Sequence, residues 1–113
     1  TVHFTQRLER LMQNDKPYLN PSLSLRILAE ALELHPNKLS WLINESIGQN
    51  FNTYVNAFRL DAFKTLALDP RNRHLTLLGL AYDSGFNSKT VFNSYFKKVE
   101  GMTPRAWLKQ KLQ

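Results

Sequence analysis

Apolar residues recur at intervals of three and four positions along most of this chain, which is the period of an amphipathic α-helix. Prolines, glycines and short polar runs separate the periodic stretches. We therefore predict an all-α fold of about seven helices, with an extended link at 18–21 that lays Tyr18 and Leu19 on the core. The expected helical stretches are residues 4–13, a span from Ser24 to a turn at Glu33, residues 37–47 and 51–68, a span from Thr76 to a turn at Gly85, a span from Asn87 to Gly101, and a last helix opened by Pro104.

The stretch from Thr76 to Trp107 predicts a short helix, a tight turn and a longer helix. Thr76 is a suitable N-cap for the first helix, and Asn87 for the second. Gly85 between them can take the positive φ that ends a helix. The longer helix then has an apolar face, with spacing i, i+3, i+4 and i+7, made of Phe92, Tyr95, Phe96 and Val99.

The opposite face of that longer helix has no acid and no large apolar group, and every member can donate a hydrogen bond. Its members are Ser88, Lys89, Thr90, Asn93, Ser94 and Lys97. A helix, a short glycine turn and a second helix with a donor-rich face is typical of a helix-turn-helix that reads DNA.

An earlier part of the chain repeats this pattern. Ser24 stands five residues before Ala29, as Thr76 stands five before Ala81, so the two copies are offset by about 52 positions. A repeat of this kind indicates an internal duplication. Glu33 occupies the place of the turn glycine, so either its backbone is left-handed or the turn differs.

The second helix of the earlier copy is expected to begin with Pro36 and to cover residues 37–47. Its outward side chains are expected to be Asn37, Lys38, Ser40, Trp41 and Asn44. Trp41 has two possible roles. It is either a core residue, or an exposed ring that contacts sugar or a thymine methyl group in a DNA groove.

The C-terminal stretch resembles the signature of AraC/XylS-type bacterial transcription regulators. The matching residues, at the spacing of that signature, are Ala81, Gly85, Phe86, Phe92, Phe96, Lys97, Lys98, Gly101, Thr103, Pro104 and Trp107. The chain departs from the family in three places. Leu108 replaces an arginine, Glu33 replaces the turn glycine, and the large and small residues at Phe63 and Ala67 are exchanged.

The resemblance implies one DNA-binding domain over residues 1–113. It comprises one helix-turn-helix unit at about 22–50, a linker helix at about 51–68, and a second unit at about 75–102. The second helix of each unit would enter a major groove, and successive grooves lie about 34 Å apart. Lys89 is expected to reach base edges and Lys98 to contact phosphate or solvent. Arg105, close to the place of the missing arginine, is a further DNA-binding candidate.

The charge distribution agrees with a polyanionic partner. The net charge is +6, and residues 1–36 hold four basic and four acidic side chains, so the excess lies in residues 37–113, with eleven basic and five acidic. A solvated basic surface is the alternative interpretation. Combined with the helix-turn-helix pattern, the positive excess favours nucleic acid.

Other classes of function find little support in the sequence. There is no cysteine, which excludes disulfides and thiol chemistry, and the three histidines are scattered. We predict no catalytic site, cofactor or metal, no signal peptide, and no membrane contact by this segment. The start at Thr1 rather than Met predicts that the chain is a piece of a longer protein.

The predicted function is sequence-specific binding of double-stranded promoter DNA. By resemblance, the domain belongs to a bacterial regulator, an activator acting on the nucleoid in the cytoplasm. RNA polymerase is an expected partner, and an effector or dimerisation domain is expected on the missing part of the chain. The alternative is a helical adaptor that docks another protein, and salt-dependent binding to duplex DNA would separate the two.

Overall fold

The computed structural model describes residues 2–113, and within that range it contains seven α-helices. The helices are α1 (Val2–Asn14), α2 (Leu25–Ala31), α3 (Pro36–Ile47), α4 (Phe51–Leu68), α5 (Leu77–Asp83), α6 (Lys89–Glu100) and α7 (Pro104–Lys111). Short 3₁₀-helical turns occupy Pro17–Leu19 and Pro70–Asn72. The predicted all-α fold of about seven helices is confirmed.

Side-chain caps begin most of these helices. The hydroxyls of Ser24, Thr76, Ser88 and Thr103 each accept a hydrogen bond from the backbone N–H three residues later, at 3.0–3.2 Å. His35 Nδ1 accepts from the N–H of Asn37 at 3.1 Å, and Asn50 Oδ1 accepts from Thr53 at 2.8 Å. Each bond satisfies a backbone donor that the first helical turn leaves without a partner.

One predicted cap was wrong. Asn87 was expected to cap α6, but Ser88 does so, and its Oγ accepts from the N–H of Val91 at 3.2 Å. Ser88 therefore stands at the start of the helix rather than on its outward face. The chemistry of the two residues is equally suited to a cap, so only the position at which the helix begins distinguishes them.

The helices form two compact units, one ending at Val55 and the other beginning at Asn56. In the first unit, Arg7 of α1 donates to the carbonyl oxygen of Leu32, at the end of α2, at 2.9 Å. The buried apolar side chains of this unit are Phe4, Leu8, Met12, Leu28, Ala29, Leu32, Leu39, Leu42, Ile43, Tyr54 and Val55. The link before α2 is a 3₁₀ turn rather than extended, and Leu19 is exposed, contrary to prediction.

The second unit is built around Phe63, which is fully buried on α4. Its ring centroid lies 4.8 Å from that of Phe92 and 5.7 Å from that of Phe96, both on α6. Trp107 of α7 lies 6.4 Å away. Ala67, one turn later on α4, is buried at 3% exposure. The exchange of large and small residues noted in the sequence thus places the large ring at the centre of an aromatic cluster.

Candidate nucleic-acid interface

Each unit contains two helices joined by a tight turn with the same hydrogen bonds. In the second unit, Gly85 has φ 104°, its N–H donates to Tyr82, and the N–H of Phe86 donates to Ala81 at 3.1 Å. This pair of bonds, one spanning five residues and one spanning three, is a Schellman motif, which turns the chain sharply after a helix. The chain therefore changes direction between α5 and α6, and the outer face of α6 stays exposed.

The turn of the first unit keeps this geometry without a glycine. Glu33 has φ 58°, its N–H donates to Glu30 at 3.1 Å, and the N–H of Leu34 donates to Ala29 at 2.9 Å. Of the two possibilities left open by the sequence, the left-handed backbone is therefore the one adopted. A side chain in this region is strained because Cβ crowds the following carbonyl.

The duplication is not a constant offset. Ser24 caps α2 and Thr76 caps α5, and these two residues are 52 positions apart. His35 caps α3 and Ser88 caps α6, and these two are 53 positions apart. The turn of the second unit is thus one residue longer. With the offset of 53, Trp41 on α3 corresponds to Ser94 on α6.

The outward face of α6 is largely as predicted. The exposed side chains include Lys89, Thr90, Asn93, Ser94, Lys97 and Lys98. Val99 was misjudged, since it was expected on the apolar face that packs inward but is 51% exposed. Val91, for which no prediction was made, is 46% exposed beside the polar face. It adds an exposed apolar side chain that its helical spacing from Ser94 could have revealed.

The outward face of α3 exposes Asn37, Lys38, Trp41 and Asn44, while Ser40 is half-buried. Trp41 is 55% exposed, and Lys38 Nζ lies 5.4 Å from its ring centroid. The ring is therefore a surface feature, partly covered by an ammonium group. Asn44 Nδ2 donates to the carbonyl oxygen of Ser40 at 2.9 Å, which occupies one of its donors within the helix.

The two faces differ in charge. On α3, the exposed ionisable side chains are Lys38 and Glu45, which offset each other. On α6, the exposed ones are Lys89, Lys97 and Lys98, all positive. The acid at the end of α6, Glu100, is half-buried and paired with Lys64. The exposed side chains of α6 thus carry a net positive charge, whereas those of α3 do not.

A cleft of about 300 Å³ adjoins the first turn of α6. Leu77 and Leu78 of α5 and Lys89 and Asn93 of α6 are among the residues that line it. Arg105 of α7 lines it as well, so Arg105 and Lys89 share one small cleft although sixteen positions separate them (89 to 105). The other cationic candidates on α6, Lys97 and Lys98, lie farther along the helix.

A family model described as a helix-turn-helix domain, of the AraC type, matches residues 28–110. The chain belongs to the AraC-type helix-turn-helix family. It is therefore a domain of the class that binds specific DNA sequences in transcription regulation.

Two relatives of this AraC-type domain come from Bacillus subtilis. The uncharacterized HTH-type transcriptional regulator YobQ is 30% identical over 90 residues, which cover 80% of this chain and 36% of that protein. The regulator YtdP is 28% identical over 89 residues, which cover 79% of this chain and 11% of that protein. The chain thus spans about a third or less of the length of these relatives.

Two solved structures share the fold of this AraC-type domain. The C-terminal domain of the two-component response regulator yesN from Fusobacterium nucleatum matches with a TM-score of 0.78, covering 94% of this chain and 98% of that one. A protein of unknown function from Listeria innocua matches with a TM-score of 0.76, covering 94% of each chain. Both are 24% identical to this chain.

The connector before α5 holds a local ion pair. Arg71 Nη2 lies 2.7 Å from Asp69 Oδ2, and hydrogen bonds from Arg71 lower the pKa of Asp69 to about 2. The guanidinium of Arg71 is therefore already engaged, whereas Arg73 is simply exposed.

Residues 2–113 contain neither a cluster of His, Asp and Glu side chains suited to a metal ion nor a helix long and apolar enough to cross a membrane.

Proposed function

We propose that this domain recognises a specific site in double-stranded promoter DNA, with the outward faces of α3 and α6 directed to base edges in the major groove. The observation that carries the proposal is the α6 face, which exposes donors and lysines without an acid, directly after a helix-turn-helix turn. The dimensions of the major groove admit one α-helix, and donors on such a helix can discriminate base edges there.

In this proposal α6 supplies the hydrogen-bonded recognition. Thr90, Asn93, Ser94 and Lys97 are the candidates for base contacts, together with Lys89 in the first turn. Asn and Lys are suited to adenine and guanine edges respectively. Ser88 caps the helix, and its hydroxyl hydrogen remains available to a phosphate oxygen.

The first unit would contribute in a different way. Asn37, Lys38 and Ser40 can still donate to DNA, and so can Asn44 through its second amide hydrogen. Trp41 offers a flat apolar surface, which suits a thymine methyl group or a sugar. Its neighbour Lys38 can leave the ring and move to a phosphate, since the side chain is exposed.

Phosphate contacts would fix the orientation on the duplex. Lys98 and Arg105 are the candidates for these phosphate contacts, and Arg105 lines the same cleft as Lys89. Contacts of this kind carry no sequence information themselves, but they provide most of the salt-dependent affinity.

The domain content, location and partners of the full-length protein are also a proposal. Because the relatives are much longer than this chain, we infer that the full-length protein carries a further effector or dimerisation domain. We place its action on the nucleoid in the bacterial cytoplasm, as an activator that contacts RNA polymerase at promoters. No catalytic role is proposed.

The decisive experiment is a selection of binding sites from random duplex DNA with the purified domain. We expect enrichment of one sequence motif and a dissociation constant for it that rises with salt. Failure to enrich any motif, together with binding indifferent to salt, would reject the proposal and favour the protein-docking adaptor.

A further inference from the structure

An ion pair joins α4 to the last residue of α6 inside the second unit. Lys64 Nζ lies 2.6 Å from Glu100 Oε2, and the two side chains are only 27% and 20% exposed. The partners are 36 positions apart in the chain. In contrast to the Asp69–Arg71 pair within one connector, this is a tertiary contact.

The same lysine also contacts α7. Its Nζ lies 5.7 Å from the ring centroid of Trp107, within the range of a cation–π interaction. Trp107 in turn packs on Phe96 of α6 with centroids 5.8 Å apart. Lys64 is thus the point at which α4, α6 and α7 meet through directional contacts.

Glu100 stands at an unfavourable end of its helix. The C-terminus of a helix carries partial negative charge, so a carboxylate there is repelled unless a cation compensates. Lys64 provides that cation from another helix. The ion pair therefore ties the end of α6 to α4. If α4 and α6 move apart, the Glu100 carboxylate lies beside the partial negative charge of its own helix end without a compensating cation.

The aromatic contacts and the ion pair hold different parts of α6. Phe92 and Phe96, in the middle of the helix, pack on Phe63 with ring centroids 4.8 and 5.7 Å apart, whereas Lys64 holds the last residue, Glu100. A short, charge-assisted hydrogen bond is directional. Partly buried ion pairs contribute little net stability, and in some proteins they select one arrangement among several.

We propose that Lys64 and Glu100 are positioning residues, which fix the rotation and axial setting of α6 so that its outward side chains meet the correct base edges. Lys97 and Asn93 lie one and two turns before Glu100 on the same helix, so a shift of α6 displaces both. This inference rests on the proposed DNA recognition. Neither residue touches DNA in this scheme.

Two substitutions test the proposal. Lys64→Met and Glu100→Met each keep a side chain of similar length and remove the hydrogen bond, because a thioether replaces the ammonium group or the carboxylate. For each variant, dissociation constants are measured at one salt concentration for the selected duplex and for a scrambled duplex of equal length. We expect the ratio of the two constants, the specificity ratio, to fall about three- to tenfold in both variants.

The specificity ratio separates positioning from simpler effects. Partial unfolding weakens binding to both duplexes by the same factor and leaves the ratio unchanged. The two substitutions change the net charge in opposite directions, so a purely electrostatic effect would move overall affinity down in one and up in the other. Only a displaced α6 lowers the ratio in both.

Two controls complete the design. Lys64→Arg keeps the ion pair and the cation–π contact, so it should retain the wild-type ratio. Arg10→Met removes one exposed positive charge from α1, outside the proposed interface, and should also leave the ratio unchanged. An unchanged ratio in folded Glu100→Met overturns the positioning role, even if Lys64→Met does not fold. A wild-type protein that fails to discriminate the duplexes instead rejects the proposed function, and the positioning role with it.

Discussion

At the scale of single residues, Glu33 holds a backbone conformation that glycine adopts more readily. Its φ is 58°, and the two hydrogen bonds of the turn fix it there. We expect Glu33→Gly to raise the free energy of unfolding by about 1 kcal/mol, because relief of left-handed strain exceeds the added entropy of the unfolded chain. Urea denaturation followed by circular dichroism measures the change.

Matched variants separate the effect of the left-handed backbone on stability from the effect of removing the charge of Glu33. Glu33→Ala removes the same charge but keeps a Cβ at positive φ, so it should give no such gain. Gly85→Ala places a Cβ at φ 104° in the corresponding turn and should destabilise the protein. Equal stability changes for Glu33→Gly and Glu33→Ala would attribute the effect to charge instead.

Two lysines of α6 are expected to differ in role. Lys89 is the first residue of the helix, and Lys98 lies near its end. We expect Lys89→Ala to cost about 1–3 kcal/mol on the selected site and to relax preference at one base pair. Lys98→Ala should weaken all duplexes alike. Competition binding against single-position variants of the site provides both measurements.

Because Lys89 shares a cleft with Arg105, the alternative role for Lys89 is a phosphate contact rather than a base contact. If Lys89→Ala weakens every sequence uniformly, as Arg105→Ala is expected to do, Lys89 belongs with Arg105 on a phosphate rather than on a base. Equal and uniform losses for Lys89→Ala and Lys98→Ala therefore reject the difference in role.

At the scale of elements, α3 and α6 differ in exposed charge and in available hydrogen-bond donors despite the duplication. The exposed charges of α3 offset each other, and one amide donor of Asn44 is occupied within the helix, whereas α6 exposes lysines without an acid. We expect the selected site to show one sharply defined half under α6 and a softer half under α3. Trp41→Ala should lower affinity without altering the sharp half. Binding-site selection repeated with this variant tests the prediction.

The exposure of Trp41 makes this variant informative. Its ring is 55% exposed, so truncation should remove little packing energy and leave the thermal transition nearly unchanged. A sharper half under α3 would contradict the asymmetry. A variant that loses its cooperative thermal transition would show that the ring supports the fold.

At the scale of the whole molecule, the excess of positive charge should control affinity. All of the net charge of +6 arises from residues 37–113, which include both proposed recognition helices. With about six phosphate contacts, we expect affinity for duplex DNA to fall about a thousandfold between 50 and 200 mM salt. A titration by fluorescence anisotropy measures the slope. A flat titration would contradict an electrostatic contribution from these residues.

The sequence by itself determined the features that depend on near neighbours in the chain. Helix positions follow from apolar residues three and four positions apart, and the cap at Thr76 follows from a side chain that reaches the backbone three residues on. The donor-rich face of α6 was predicted for the same reason, whereas the duplication was found by comparing two stretches of sequence about 52 positions apart. The place of Glu33 in the repeat, which is that of Gly85, left either a left-handed backbone or a different turn, and the structure shows the left-handed backbone.

The tertiary structure alone decided which distant residues meet. No local pattern relates Phe63 to Phe92, or Lys64 to Glu100, which lie 36 positions apart. Whether Val99 is covered depends on how far the neighbouring helices extend, not on its spacing within α6. The cleft that unites Lys89 with Arg105 likewise requires α5, α6 and α7 to be packed together. Helical periodicity gives the face on which a side chain lies, whereas its partners depend on where other elements end and how they pack.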